Sequence, residues 1–347
     1  MATLQDVARL AGVSAMTVSN VINGRAGKVS AATTARVMAA VEEVGYVPNA
    51  SARSLASSAS RIIALVYGAA PGRAALGSPY ESLFVGACEE RARDGGFALM
   101  LCGATRVTET IDQLRSWNVA GAVVMATTIT TPRDFANRVT APTVFVDAYE
   151  DLDDISYVNI DDVGGARLVG EKIAALGHRH VAFVGPSTVG SGVVRARLDG
   201  LRQGLAEYGV SLERRDVFLA EVDFEQGRAF AHRLAQGRSE ITAVFASGDF
   251  LALGIVAGLR QCGLNVPGDV SVVGFDGLDI STYTDPPLTT VRQSVRDKAT
   301  TAVDYLIEAI GGDEPILRGT VLPVTWAPGA TLAGPPGPAA ARAGAAT

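Results

Sequence analysis

The sequence is poor in cysteine and in long apolar runs, and each shortage excludes a class of protein. Its three cysteines, Cys88, Cys102 and Cys262, are odd in number, scattered and set in apolar surroundings. They predict buried, reduced thiols. No apolar run reaches the roughly 18 residues that span a bilayer, and MATLQDVARL lacks the basic and apolar regions of a signal peptide. We therefore expect a cytoplasmic protein that does not associate with membranes.

The sequence also lacks the motifs of common enzyme and metal sites. The Gly-rich segment GPSTVGSG, residues 185–192, fits neither G-x-G-x-x-G nor G-x-x-x-x-G-K-[ST], and there is no G-x-S-x-G nucleophile elbow. His178 and His180 form H-x-H without further ligands at suitable spacing. We therefore expect no enzyme activity, no metal and no cofactor, and we interpret these histidines as solvated or capping residues.

Charge is distributed unevenly along the chain. The whole sequence carries −6 and has a pI near 5.2, but residues 1–60 contain five Lys or Arg against three acids and are locally +2, which leaves −8 for the remainder. A mildly basic first segment on an acidic body is compatible with local contact to phosphates. The length of 347 residues is enough for two or three domains.

The first sixty residues have the pattern of three short helices. Thr3 and Asp6 fit a capping box, and apolar residues recur at helical spacing until Gly12 ends the first helix. Ser14 and Ser30 are the expected caps of the next two helices. A tight Gly-containing turn between the first two helices is typical of a helix-turn-helix. The acid-free outer stripe of the second helix favours contact with DNA, and the alternative is a small helical bundle with a solvated polar face.

A resemblance to the lactose-repressor (LacI/GalR) family of bacterial transcription regulators is carried by TLQDVARLAGVSAMTVSNVING…VSAATTARVMAAVEEVGYVPNASARSLAS. The match covers nearly all of residues 3–57. It implies an all-α helix-turn-helix DNA-binding domain over residues 1–48 and a hinge helix or linker over 49–60. It also implies DNA contacts by residues of the second helix and of the hinge: Ala15, Met16, Thr17, Ser19 and Asn20, then Asn49, Ala52 and Leu55.

The family roles of these residues follow from their positions. By resemblance, Ala15, Met16 and Asn20 face base edges in the major groove, and Leu55 is an apolar wedge that enters the minor groove and kinks the duplex. Ala15 and Met16 allow only apolar contact, whereas Asn20 can pair with adenine through two hydrogen bonds. We therefore expect few direct contacts to base edges, so that sequence specificity depends more on the kink and on DNA shape. The alternative for Leu55 is a linker residue that packs on the body.

From Arg61 onward, short apolar runs alternate with helix-length amphipathic stretches. Seven runs share this character: IIALVYG, FALMLCG, AGAVVMA, TVFVDA, HVAFVGP, ITAVFASG and VSVVGFDG. Continuous apolar runs joined by helical crossovers predict an α/β body with parallel strands buried on both faces. Nearly every run ends in Gly, Asp or Pro, and ligands of open α/β sheets bind beyond the carboxyl ends of the strands.

The body is similar to the rest of the same family, which is related to periplasmic sugar-binding proteins. The similarity is carried by LGHRHVAFVGP, R-x-x-G at Arg197–Gly200, AVFASGDFLALG, DVSVVGFDG and DPPLTTVRQ. It implies a two-lobed, periplasmic-binding-protein-like effector-binding and dimerisation domain over residues 61–332. The chain would cross between the lobes near residues 160–162, 289–291 and 320–322. The amino lobe would comprise 61–160 plus 291–320, and the carboxyl lobe 161–290 plus 321–332.

The resemblance implies a small-molecule effector, expected to be a sugar or sugar derivative, in the cleft between the lobes. The candidate effector-binding residues follow predicted strands or their loops: Tyr80, Asp147, Arg197, Phe224, Asp249 and Asp276. Asp and Arg make charge-assisted hydrogen bonds to hydroxyl groups, and an aromatic ring covers the apolar face of a sugar. Alternatives remain, because an aspartate at a strand end often caps the next helix and an aromatic residue can serve packing alone.

Two residues depart from the family pattern, and the composition of the tail bears on the oligomeric state. Gly248 stands where the family usually has Asn before Asp249, and Glu81 stands where many members have an aromatic residue, so the sequence does not name the effector. The Pro/Ala/Gly-rich tail, residues 333–347, is expected to be disordered and lacks heptad leucines. A homodimer is expected, because a two-fold-symmetric operator calls for two DNA-reading domains.

These features together predict a ligand-responsive, sequence-specific DNA-binding regulator, with a repressor preferred, that binds a pseudo-palindromic double-stranded operator. The effector would change the relation of the lobes and shift the hinge between helix and coil. The alternative is a small-molecule (sugar) binding protein without regulatory DNA binding, against which the intact first domain argues. An α/β enzyme is disfavoured because no catalytic constellation is found.

The wedge assignment of Leu55 gives a first prediction. Leu55→Ala should weaken binding to the specific operator far more than binding to non-specific DNA, because only the specific complex contains the kinked central step. The measurement is the affinity of both proteins for operator and for random duplex at one salt concentration. An equal loss on both DNAs would contradict the assignment.

Overall fold

The computed structural model describes residues 2–22, 29–47, 60–68, 77–125, 131–150, 152–238, 240–312 and 317–337. The chain forms two compact units, residues 1–61 and 62–347. Within the described ranges, no helix has the length and apolarity that crossing a membrane requires. The predicted hinge contacts Asn49, Ala52 and Leu55 lie outside the described residues.

The described residues of the first unit form three helices: α1 (Leu4–Ala11), α2 (Ala15–Ile22) and α3 (Ala31–Glu43). The predicted capping box is confirmed, since the Asp6 amide donates to Thr3 Oγ1 and the Thr3 amide donates to Asp6 Oδ2. Gly12 ends α1 with φ +62°, a left-handed conformation that glycine adopts without strain. Ser30 caps α3, with the Thr33 amide 3.3 Å from its Oγ. The core of the unit draws on all three helices: Val7, Ala8, Ala11, Val18, Val37 and Ala40.

The first sheet of the second unit is wholly parallel. Its strands are β1 (Ile62–Gly68), β2 (Ala98–Ala104), β3 (Gly121–Met125), β4 (Thr143–Val146), β5 (Ser156–Ile160) and β11 (Gly319–Leu322). They are ordered β11-β5-β4-β3-β1-β2. Helices α4 (Pro79–Asp94) and α11 (Val295–Gly311) cover one face, and α5 (Val107–Ser116) and α6 (Pro132–Arg138) cover the other. We call this sheet and its helices the first lobe.

The second sheet has five parallel strands and one antiparallel edge strand. Its strands are β6 (Val181–Gly185), β7 (Val217–Leu219), β8 (Ala243–Ala246), β9 (Ser271–Asp276), β10 (Thr289–Gln293) and β12 (Val324–Ala327). They are ordered β12-β10-β9-β8-β6-β7, with β12 antiparallel to β10. Helices α7 (Asp162–Ala175) and α8 (Gly192–Ala206) cover one face, and α9 (Phe224–Gly237) and α10 (Asp249–Gln261) cover the other. This is the second lobe, and the α/β architecture with two mostly parallel sheets is the one predicted.

The chain crosses between the lobes at three points. The first crossing, at Asp161 between β5 and α7, falls in the range given by the resemblance. The second lies at Ser294 rather than at 289–291, because β10 keeps its pairing with β9 through Arg292 and with β12 through Gln293. The third lies between β11 and β12 at Pro323, because β11 pairs with β5 through Leu322.

The residues after β12 are held against the amino ends of the second sheet. The fully buried His178 ring bridges them to the lobe: Nε2 lies 2.7 Å from the Ala333 carbonyl oxygen, and Nδ1 lies 2.8 Å from Thr242 Oγ1. Because the carbonyl only accepts, Nε2 donates and Nδ1 accepts. The Ser271 hydroxyl also donates to Ala333. His178 is therefore a buried bridging residue rather than the solvated or capping residue expected. The segment expected to be disordered begins with bonded structure at Ala333, and residues 338–347 lie outside the described ranges.

His178 gives a prediction about stability and pH. His178→Ala should lower the free energy of unfolding by about 2–4 kcal/mol near neutral pH, because it leaves buried partners unpaired. Burial lowers the pKa of His178 from 6.5 in the folded protein. As the pH falls below 6.5, the His178 imidazole is therefore protonated in the unfolded chain before it is protonated in the folded protein. The stability difference between wild type and variant should therefore shrink as the pH falls below about 6.5.

The measurement is urea unfolding followed by circular dichroism at several pH values. His180→Ala is the matched control, since His180 is exposed two residues away, and it should change stability by less than about 0.5 kcal/mol. Equal effects of the two substitutions would contradict the bridging role of His178.

Candidate functional site

The outward face of α2 carries the five residues of the first unit expected to contact DNA: Ala15, Met16, Thr17, Ser19 and Asn20. Met16 is 71% exposed, and the other four are half-buried. The Thr17 amide donates to Ser14 Oγ at 3.1 Å, which satisfies one free amide at the start of the helix. There is no acidic residue in α2. This face can therefore approach a phosphate backbone without a repelling charge from its own helix.

A second candidate site is a cavity of about 190 Å³ between the two lobes. It lies at the carboxyl ends of the strands, where parallel sheets bind ligands. Residues of both lobes line it: Ser78, Tyr80, Glu81, Met125, Asp147, Val193, Arg197, Val222, Ser247, Phe250, Asp276, Leu278 and Gln293. The structure thus brings together four of the six predicted effector-binding residues, namely Tyr80, Asp147, Arg197 and Asp276.

Asp249, the fifth predicted residue, does not line the cavity. It is fully buried, and its Oδ2 accepts from the Leu278 amide at 2.8 Å and from the Ser281 hydroxyl at 3.1 Å. Its Oδ1 accepts from the Thr290 hydroxyl at 2.5 Å. These bonds tie the loop after β9 to β10, which is a structural role within the second lobe.

Phe224, the sixth predicted residue, also lies away from the cavity. It is the first residue of α9, and its ring centroid lies 6.0 Å from that of Phe250. Asp223 caps this helix, so the residue that faces the cavity is Val222, just before the cap. A Cβ added at Gly248 would lie 2.7 Å from Val222 Cγ1. Val222 therefore fills the space that a side chain at position 248 would need.

Arg197 reaches the cavity from α8 and is held by partners on three elements. Its Nε donates to Asp162 Oδ1 at 2.7 Å, and its Nη1 donates to the Ser247 carbonyl and lies 3.6 Å from Asp276 Oδ1. Its guanidinium carbon lies 3.8 Å from the centroid of the Phe275 ring. Burial alone would lower the pKa of Arg197, but Asp162 and Asp276 outweigh it and raise the pKa. The guanidinium is thus a fixed cation in the cavity wall.

Asp147 is held by a buried lysine in the first lobe. Lys298 on α11 is 1% exposed, and its Nζ donates to the two carboxylate oxygens of Asp147 at 2.9 and 3.2 Å. The Tyr80 hydroxyl donates to Asp147 Oδ2 at 3.4 Å. Burial, and then the charge of Asp147, raise the pKa of Tyr80 well above 10.0, so this hydroxyl keeps its proton. Asp147 has φ +60°, which is uncommon outside glycine and is stabilised here by the ion pair.

Asp276 presents the second carboxylate, from the end of β9. Its Oδ1 accepts from Gln293 Nε2 at 2.7 Å, and its backbone has φ +124°. Burial raises the pKa of Asp276, while the nearby Arg197 favours its charged form. Burial, and then the charge of Asp276, also raise the pKa of Asp249. The second lobe therefore holds two carboxyl groups that resist ionising together.

Two polar atoms at the cavity have no hydrogen-bond partner in the part of the chain that the structure describes. Among the described residues, Ser247 Oγ and Gln293 Oε1 are buried without a hydrogen bond, and both residues line the cavity. Buried polar atoms are normally paired, so these two are available to form hydrogen bonds with a molecule that enters the cavity. Together with the carboxylates of Asp147 and Asp276, they make the cavity rich in acceptors, which suits a ligand with several hydroxyl groups. Across the described ranges, no cluster of His, Cys, Asp and Glu is arranged to hold a metal ion.

Sequence reasoning missed several residues of this site. Ser247 and Gln293 follow the strand-end rule and could have been found by it, because each stands at the end of a strand. The signal for Lys298 was a single lysine on the apolar stripe of α11, three residues after Val295 and four before Ala302. Glu81, noted as a departure, lines the cavity and accepts from the Ser78 amide at 3.1 Å.

Two family models match the chain. Residues 3–49 match the model "Bacterial regulatory proteins, lacI family". Residues 171–332 match the model "Periplasmic binding protein-like domain". The first match contains α1, α2 and α3, and the second contains most of the second lobe.

Curated proteins and solved structures resemble the chain over nearly its whole length. The ribose operon repressor of Escherichia coli (strain K12) is 31% identical over 332 residues, which cover 94% of this chain and 97% of that protein. The lac repressor dimer bound to operator and the anti-inducer ONPF is 29% identical, with a TM-score of 0.83 and coverage of 95% of this chain and 98% of that one. The complex of the regulator CelR with cellobiose is 26% identical, with a TM-score of 0.71 and coverage of 96% and 100%.

The buried pair Lys298–Asp147 gives a prediction about stability. Lys298→Met should lower the free energy of unfolding by about 3–5 kcal/mol, because it leaves the Asp147 carboxylate unpaired. Adding Asp147→Asn should recover part of the loss, since the unpaired charge is then gone. The measurement is chemical denaturation of both variants beside Lys172→Met, an exposed lysine on α7. A loss no larger than that of Lys172→Met would contradict a stabilising role for the pair.

Proposed function

The chain belongs to the lacI family of bacterial regulatory proteins, and from that premise we propose that it is an effector-responsive repressor that binds operator DNA as a homodimer. The observation that carries the proposal is the combination, in one chain, of a helix-turn-helix unit with a two-lobed unit. The cavity of the second unit contains buried polar atoms that have no hydrogen-bond partner among the described residues. A sugar-binding protein without regulatory DNA binding would leave the first unit without a role.

The DNA-reading surface in this proposal is the outer face of α2. Met16 and Ala15 make apolar contacts in the major groove, and Asn20 pairs with a base edge. Thr17 and Ser19 contact or support contacts to phosphates. Asn49, Ala52 and Leu55 act in the minor groove, where Leu55 inserts at the central step.

A homodimer follows from the geometry of reading DNA. A single α2 covers only a few base pairs, so specificity comes from two copies that meet half-sites about one helical turn apart or a little more. The local charge of +2 in residues 1–60 suits that contact. The similar lac repressor is described as a dimer bound to operator, which supports the same assembly here.

The effector in this proposal is a small carbohydrate held between Asp147 of the first lobe and Arg197 and Asp276 of the second. Its hydroxyl groups donate to the two carboxylates and to Gln293 Oε1, and they exchange hydrogen bonds with Ser247 Oγ. The names of two similar proteins support a carbohydrate effector, since one is a ribose operon repressor and the other is CelR in complex with cellobiose. In this proposal Asp249 and Phe224 do not contact the effector, and they stabilise the second lobe around the cavity.

The remaining parts of the proposal follow from this role. A repressor works where its operator is, so the protein acts in the cytoplasm. It needs no catalytic step, since ligand and DNA are bound and released unchanged, and the relatives named above are transcription regulators rather than enzymes. Effector binding changes the arrangement of the lobes, which shifts the hinge and with it operator affinity.

The test is selection from random DNA duplexes with the full-length protein, followed by affinity measurements across salt concentrations. We expect a pseudo-palindrome with a fixed central step and an affinity that falls linearly with salt on logarithmic axes. A panel of D-ribose, D-glucose and cellobiose then tests for an effector by the shift in melting temperature and in operator affinity. Failure to enrich any sequence, with and without pooled metabolites, would overturn the regulatory role.

Asp276 gives the corresponding prediction for the effector. Asp276→Asn should weaken binding of the responding sugar by about ten- to a hundredfold, the effect of losing a hydrogen bond to a charged group. The fold should survive, because Asn keeps the shape and removes a buried charge beside Asp249. The measurement is titration calorimetry beside the control Asp199→Asn, an exposed aspartate on α8. Unchanged affinity in Asp276→Asn would remove this residue from the site.

A further inference from the structure

Tyr149 is a first-lobe residue presented rigidly toward the second lobe. It follows Asp147 and Ala148 directly after β4. The backbone of Ala148 is fixed on both sides by Asn159 of β5, whose Oδ1 accepts from the Ala148 amide at 3.0 Å and whose Nδ2 donates to the Ala148 carbonyl at 2.5 Å. With φ +60° at Asp147, the chain turns sharply at the end of the strand. The position of Tyr149 is therefore set by the same short segment that positions the cavity carboxylate.

The Tyr149 side chain contacts two helices of the second lobe at their first residues. Its hydroxyl donates to Asp162 Oδ2 at the start of α7. Its ring lies on Gly192 at the start of α8, where an added Cβ would come within 2.6 Å of Tyr149 Cβ and Cδ2. Burial, and then the charge of Asp162, raise the pKa of Tyr149, so the hydroxyl remains a donor. The neighbouring Glu150–Arg195 pair, at 3.8 Å, is exposed and contributes little.

Asp162 joins this contact to the effector cavity. Its Oδ2 accepts from Tyr149, and its Oδ1 accepts from Arg197 Nε at 2.7 Å. The two helices that carry Asp162 and Arg197 are packed backbone to backbone, since a Cβ at Gly200 would lie 2.3 Å from the Val163 carbonyl oxygen. This close packing leaves little room for α7 to move relative to α8, so Asp162 and Arg197 are held together.

We propose that Tyr149 is the positioning residue that couples occupancy of the cavity to the arrangement of the two lobes, through the chain Asp147–Tyr149–Asp162–Arg197. The proposal rests on the proposed function only in that the cavity binds an effector. A ligand between Asp147 and Arg197 holds these residues at a fixed separation, and the Tyr149–Asp162 hydrogen bond holds them at the same separation. Ligand and hydrogen bond thus stabilise the same lobe arrangement, and each strengthens the other.

The ligand-free test is hydrogen–deuterium exchange of the full-length Tyr149→Phe protein, read by mass spectrometry. We expect amides in the first turns of α7 and α8 to exchange about tenfold faster than in wild type, the effect of losing one hydrogen bond to a charged group. Tyr305→Phe is the matched control, because its hydroxyl bonds Thr320 within the first lobe. Unchanged exchange in both first turns, or the same change in Tyr305→Phe, would overturn the proposal.

A second variant tests the contact without removing the hydroxyl. Gly192→Ala adds a methyl group where the Tyr149 ring lies, so it should displace the ring and reproduce the faster exchange at α7. A purely local effect would be confined to α8, where alanine also favours the helix. Faster exchange at α7 in Gly192→Ala supports the coupling. A change confined to α8, or protection of both helix starts, contradicts it.

The ligand test uses the same variants with D-ribose, D-glucose and cellobiose as probes. For a sugar that binds wild type, Tyr149→Phe should weaken binding about tenfold, while Tyr305→Phe leaves it unchanged. Equal affinities of Tyr149→Phe and wild type would overturn the coupling. If no probe binds wild type, the carbohydrate assignment fails, and the exchange experiment still decides the role of Tyr149.

Discussion

The buried guanidinium of Arg197 is the charge on which the arrangement of the second lobe depends. A cation is stable away from water only where several acceptors meet it. Here they come from the first turn of α7, the end of β8 and the end of β9, supplied by Asp162, Ser247 and Asp276. The parallel sheet makes this convergence possible, because it brings strand ends and helix starts to one edge. In the first lobe, the buried cation is Lys298, which donates hydrogen bonds to the carboxylate of Asp147. Each lobe thus presents to the cavity a carboxylate that is backed by a buried cation.

The parts of the fold that depend on local physics could be predicted from the sequence. The capping box at Thr3, the left-handed Gly12 and the apolar runs that became strands need only neighbouring residues to decide them. Four of the six residues predicted to bind an effector line the cavity, because parallel strands bring their carboxyl ends to one edge of the sheet. The remaining features depend on tertiary partners. Because Asp223 caps α9, Val222 lines the cavity and Phe224 does not. The spacing of these residues in the sequence does not indicate which of them faces the cavity. Asp249 and Lys298 carry charges whose partners are distant in sequence, so their roles appear only after folding.

The two units differ in how their stability is supplied. The described core of the first unit consists of small residues from three short helices, and little apolar area is available to so small a fold. Its helix caps therefore matter more than a cap would in the body. The second unit has a large apolar core on each face of each sheet, so it can tolerate buried charges and uncommon backbone conformations at the cavity. The strain is located where binding is proposed and is supported by the surrounding core.

The bridge from His178 to Ala333 also has a practical consequence for sensor design. His178, Thr242 and Ser271 all precede or begin strands of the second sheet, so the carboxyl-terminal segment runs along the edge opposite the cavity. A fluorescent protein joined after Gly337 would be anchored to the second lobe without obstructing ligand entry. Its emission, paired with a dye on the first lobe, would report lobe movement directly. The same bridge sets the limit for shortening the chain, because a truncation that removes Ala333 would expose a buried imidazole.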